Sequence, residues 1–158
     1  MEAELAVLLS EIEFQWKQIL KIYDRISEKL TRLKRDRSNE DLRDSLAYQL
    51  HNLYCAYEDL FSIVAKFFEN RINDPSRYHI RLLRRMMMDI KGVRPRLISE
   101  ESFQYLNELR GFRHVFRHAY GIELDVDRII SLAEKSLKLK DIFQRDLENF
   151  RRKLIEEY

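Results

Sequence analysis

Apolar residues recur at three- and four-residue spacing along nearly the whole chain, and that spacing predicts helix. Leu5, Leu8, Leu9, Ile12, Trp16, Ile19, Leu20, Tyr23, Ile26, Leu30 and Leu33 mark one side of a first helix over about residues 2 to 35. The charged run "KRDRSNED" breaks the pattern, and Ser38 is placed to cap the next helix with Asp41 at its third position. Leu42, Leu46, Leu50, Leu53, Tyr54, Tyr57, Leu60, Phe61, Val64 and Phe68 carry a second helix to about residue 70. Asp74 and Pro75 form a start signal, a capping carboxylate followed by proline at the first helical position. The third helix, "SRYHIRLLRRMMMDI", is expected to stop before Gly92, and "GVRPRLI" reads as a loop. Ser99 opens a fourth helix that ends at Gly121, a residue suited to the left-handed terminus. Asp125 caps a fifth helix running towards Tyr158. The pattern predicts an all-α fold, a single-domain up-and-down bundle of about five helices over residues 1–158.

Composition narrows this reading. Three glycines and two prolines are too few for the frequent turns of a strand-rich fold. A net charge of +2 makes the chain no general polyanion binder, so any nucleic-acid contact must come from a local patch. The one cysteine, Cys55, excludes an internal disulfide framework and a cysteine-based zinc site; it reads as a small core residue. No apolar run approaches the roughly 20 residues of a membrane span. The acidic, helical start "MEAELAVLLSEIEFQW" is unlike a signal peptide, so a reducing cytoplasm is the expected location.

The candidate chemistry lies in "ELRGFRHVFRHAYGIELD". At about 100° per residue, Arg113, Arg117, His114 and His118 span an arc of about 140°, with Arg110 inside it. Leu109, Phe112, Val115, Phe116 and Ala119 take the opposite side, and Tyr120 sits at the border. A solvated charged face is the plain reading of such a cluster. Against it stands the absence of any carboxylate between Arg110 and Ile122, because surface charges on helices usually alternate in sign. Guanidinium groups bind phosphate bidentately, and histidine moves protons near neutral pH. RNA brings its own nucleophile, the 2′-hydroxyl, so such a site needs no metal or cofactor. Zinc at His114 and His118 has the right helical spacing but no third ligand nearby in sequence.

Other residues carry weaker signals. His51 is expected as a core or edge histidine. His79 is expected to be structural or at the surface, beside a second basic cluster of Arg77, Arg81, Arg84 and Arg85. Met86, Met87 and Met88 read as core filler. Glu58 is placed to orient an arginine, but a solvated or locally paired glutamate is the expectation.

Arg113, four intervening residues, His118, one residue and Tyr120 match the motif of the HEPN superfamily, and the chain resembles its HepT-like ribonuclease toxins. "YQLHNLYCAYEDLFSIVAKFFEN", "RYHIRLLRRM" and "GVRPRLIS" extend the resemblance over about residues 40 to 150. The resemblance implies a homodimer in which two motif helices meet in one cleft. It implies metal-independent cleavage of RNA, tRNA included. It also implies a partner, an MNT-type nucleotidyltransferase antitoxin that transfers AMP to the motif tyrosine. Carried over by position, Arg113 and His118 are the catalytic pair and Tyr120 is the modification site. Arg110, His114 and Arg117 are expected to bind RNA phosphate, with His114 standing where many such motifs have a small polar residue. The competing reading is a non-catalytic HEPN subunit that serves a nucleotidyltransferase as adaptor or substrate-binding partner.

Overall fold

The computed structural model describes residues 2–69, 78–118, 121 and 123–157. Over these it holds five helices: α1 (Glu2–Arg35), α2 (Glu40–Phe68), α3 (Tyr78–Met86), α4 (Glu100–Arg117) and α5 (Val126–Glu157). They form an all-α bundle, as the periodicity predicts. α2 is its axis, since it packs against each of the other helices. α1 and α5 also pack on each other, and α4 lies between α3 and α5.

The spacing of apolar residues explains the packing. Leu8, Ile12, Ile19, Tyr23, Ile26 and Leu33 of α1 are all buried, as are Leu46, Leu50, Leu53, Tyr57, Leu60 and Phe61 of α2. Each such side chain contributes roughly 1.5–3 kcal/mol when fully buried. At the centre, Trp16, Tyr23, Tyr57 and Phe143 join three helices through tilted and edge-on ring contacts with centroids 4.9–6.5 Å apart. The two tyrosine hydroxyls hydrogen-bond each other at 2.6 Å, so neither is left unsatisfied in this apolar interior.

Helix starts follow local capping chemistry. Ser99 caps α4 by accepting the Ser102 N–H at 3.2 Å. Asp146 of α5 locks that cap, accepting from Ser99 N–H (3.0 Å), Ser99 Oγ–H (3.0 Å) and Ser102 Oγ–H (2.5 Å). Asp125 precedes α5 and accepts the Asp127 N–H at 3.0 Å. The expected cap at Ser38 is corrected to Asn39, whose Oδ1 accepts the Leu42 N–H at 3.0 Å. Asn39 has the extended backbone that lets a side chain reach back to the first turn.

Two helix ends also differ from expectation. α3 stops at Met86 because its final carbonyls are captured from outside. The Met86 carbonyl accepts the N–H groups of Leu97 and Ile98 at 2.8 and 3.1 Å. Arg94, buried to 3 % exposure, donates to the carbonyls of Arg85, Met88 and Pro95 and to Glu69 at 2.8 Å. Met86 is therefore core and Met87 packs at its edge, but Met88 is exposed and fills nothing. α4 closes at Arg117, not Gly121, because the His118 N–H turns to the Val115 carbonyl at 3.2 Å. Gly121 does hold a left-handed backbone, with φ of 68°. The start signal at Asp74–Pro75 lies outside the described residues.

Candidate functional site

The last two turns of α4 carry the basic cluster, and they divide it. Arg113 is half-buried and turns towards α2 and α3. Its Nε donates to Cys55 Sγ at 3.4 Å, and its Nη1 lies 3.4 Å from His79 Nε2. His114 and His118 are exposed and pack on each other, with ring centroids 4.7 Å apart. Both line a recess of about 380 Å³ with Glu123, Asp125 and Arg128 at the start of α5. Arg110 is tied to its own helix, donating through Nε and Nη2 to Asn107 Oδ1 at 3.0 and 2.9 Å. Arg117 is exposed. Tyr120 lies outside the described residues. Within one chain, Arg113 and His118 thus occupy neighbouring turns but face different partners.

Val115 departs from the expected apolar wall. It is 40 % exposed, between the His114–His118 recess and a second one lined by Glu108, Gly111, Arg128 and Lys135. Its angular position borders His118, so it falls at the rim of the apolar side.

α2 supplies what the motif alone does not show. His51, Cys55, Glu58 and Ser62 follow one another at intervals of four, three and four, which aligns them on one face. That face meets α3 and α4. Ser62 Oγ bonds the Tyr78 hydroxyl at 2.8 Å. Glu58, only 8 % exposed, bonds His79 Nδ1 through its carboxylate at 2.7–2.8 Å. Cys55 Sγ lies 3.8 Å from His51 Nε2, and the His51 ring packs on Phe116 at 5.1 Å. Cys55 is therefore half-buried at the site, not a core residue. Glu58 is neither solvated nor paired locally: it reaches across to α3. The row of His51, Cys55, Glu58 and Ser62 at helical spacing is the signal that marks this face in the sequence.

The electrostatics follow from burial and arginine. His51 is held below the usual histidine pKa by burial first, then by the Arg113 and Arg117 charges. The Tyr54 hydroxyl is buried without a well-formed hydrogen bond. Burial and the neighbouring Glu58 push its pKa far up, opposed weakly by Arg110 and Arg113. The Tyr54 phenol and the His51 imidazole are thus both held towards their neutral forms within reach of the Arg113 charge. Among the described residues, no carboxylate pairs with Arg113, and no cluster of three His, Cys, Asp or Glu side chains has the geometry to hold a metal. Nor is any described helix long and apolar enough to cross a membrane.

A helical bundle with an arginine–histidine motif closing its fourth helix defines the class, that of HEPN proteins. A family model described as HepT-like protein matches residues 45–154. The chain belongs to this HepT-like family of the HEPN superfamily. No curated protein and no solved structure gave a significant match.

Proposed function

We propose that the protein is a metal-independent endoribonuclease toxin that cuts RNA, tRNA among its targets, at a site built on Arg113 and His118. The observation that carries this reading is the state of Arg113: a half-buried guanidinium held by a thiol and an imidazole, with no described carboxylate to neutralise it. Such a group is prepared for a phosphate. In the proposed reaction a base removes the 2′-hydroxyl proton and the 2′-oxygen attacks phosphorus. The bond to the 5′-oxygen breaks, and an acid protonates that oxygen as it leaves. His118 acts in proton transfer, Arg113 stabilises the charge that develops on phosphorus, and Arg110, His114 and Arg117 hold flanking phosphates. The products are a 2′,3′-cyclic phosphate and a 5′-hydroxyl.

Because Arg113 and His118 face different partners in one chain, the reading includes a homodimer whose two α4 ends complete one cleft. It also includes an MNT-type nucleotidyltransferase antitoxin. The Tyr120 hydroxyl would attack the α-phosphorus of ATP, forming tyrosyl-AMP and releasing pyrophosphate, and the added anion would compete with RNA for the nearby arginines.

The test is incubation of the purified protein with tRNA in excess EDTA. Cleavage with 2′,3′-cyclic phosphate ends is expected. Arg113→Ala and His118→Ala should each lower the rate on the order of 10²-fold or more, with His114→Ala costing less. Activity lost in EDTA and restored by magnesium would reject the mechanism. Co-expression with an MNT-type nucleotidyltransferase, followed by intact-mass measurement, checks for AMP on Tyr120.

A further inference from the structure

Three helices meet at Arg113, and the order of groups there is Glu58, then His79, then the guanidinium. Glu58 comes from α2, His79 from α3 and Arg113 from α4. An ionised carboxylate only accepts hydrogen bonds, so the His79 Nδ1 facing Glu58 at 2.7–2.8 Å carries the hydrogen. On the far side of the ring, Arg113 Nη1 lies 3.4 Å from Nε2. Arginine has donors and no acceptor, so the pair has one sense only: Nη1–H gives to Nε2. On the other edge Arg113 Nε gives to Cys55 Sγ at 3.4 Å. Nη2 makes no hydrogen bond among the described residues.

We propose that His79, anchored by Glu58, is a positioning residue for Arg113, fixing the guanidinium at the end of α4 while leaving its charge available to a phosphate. The proposal deepens the ribonuclease reading and rests on Arg113 being its phosphate-binding group.

The physical case is one of competing requirements. A flexible arginine must be ordered before it can act, and ordering its side chain costs conformational entropy. A carboxylate set directly against it would order it well. It would also cancel its charge and occupy the fork that a phosphate needs. An interposed neutral imidazole separates the two effects: Glu58 orients the ring, and the ring orients the guanidinium. The same geometry limits His79 itself. A lone pair engaged with Arg113 is not free to take a proton, so His79 is not the base of the reaction while this arrangement stands.

The distinction is testable, because glutamine reproduces both contacts without titrating. Its amide N–H can serve Glu58 and its carbonyl can serve Arg113. In full-length protein cutting tRNA, His79→Leu should lower kcat/KM about 10- to 100-fold, the range for a misplaced reacting group. His79→Gln should keep most of the activity. In an Arg113→Ala background, His79→Leu should add nothing further. A His79→Leu protein as active as wild type would overturn the proposal. So would a His79→Gln protein as inactive as His79→Leu, which would assign proton transfer to the ring. Equal losses from His79→Leu with and without Arg113 would overturn it as well.

If the wild-type protein cuts no RNA, the ribonuclease reading fails alone. The affinity of the same four variants for a 2′-deoxy oligonucleotide then decides the proposal. The same ranking is expected, and equal affinities would reject it. Nitrogen-15 NMR of the imidazoles gives a check that needs no variant to fold. The proposal requires His79 in the Nδ1–H form, and an Nε2–H ring would end it.

Discussion

The His51 imidazole is kept neutral by its surroundings. Burial and the charges of Arg113 and Arg117 all oppose its protonation, so its folded pKa lies below the ordinary value of 6.5. The unfolded chain then binds this proton more readily than the folded one. Its contribution to stability is complete above about pH 6.5 and falls away as pH drops towards the folded pKa. An NMR titration should place the His51 midpoint below 6.5, and Arg113→Ala or Arg117→Ala should each move it up. A midpoint unmoved by either substitution would mean that the arginine charges do not reach the ring. The same residue shows where sequence reading stops. His51, Glu58 and His79 each look ordinary alone, and the choice of a structural role for each is reasonable one residue at a time. Their links to Arg113, His51 by way of Cys55 and Glu58 by way of His79, depend on α2, α3 and α4 converging, and on contacts across 21 to 58 positions of chain.

Elements were far more legible than their ends. The apolar period places the span of α1 on residues 2 to 35, and the Ser99 and Asp125 caps are local chemistry that a short window contains. The end of α3 is not local. It depends on Arg94 and on the N–H groups of Leu97 and Ile98 returning to the Arg85 and Met86 carbonyls, so "MMMD" alone cannot reveal it. α4 also carries an avoidable weakness. Gly111 sits in mid-helix with ordinary negative φ, and a Cβ built there meets nothing within 4 Å. Gly111→Ala should therefore stabilise the protein by about 0.5–1 kcal/mol, which raises Tm by roughly 1–4 °C in a chain of this size. Thermal unfolding followed by circular dichroism measures it, and a lower Tm would show that the open space beside Gly111 is needed.

At the scale of the molecule, one chain presents Arg113 towards α2 and α3 and His118 towards the α5 start. If two chains complete each proposed cleft, the two lesions should complement. Arg113→Ala and His118→Ala should each cut RNA only at a residual rate when alone, but co-folded mixtures should regain activity, since a mixed dimer keeps one intact copy of each group. Mixtures as inactive as their parents would place the whole reaction within a single chain. Such experiments compare many variants, and the molecule carries its own gauge for them. Trp16 is the only tryptophan, buried where α1, α2 and α5 meet and ringed by Tyr23, Tyr57 and Phe143. Its emission reports on the bundle's centre and on nothing at the α4 end. Excited near 295 nm, an intact protein emits at short wavelength and an unfolded one shifts to the red. A substitution at Arg113, His79 or His118 that silences activity while leaving this spectrum unchanged has removed chemistry rather than structure, and a cuvette is enough to tell the two apart.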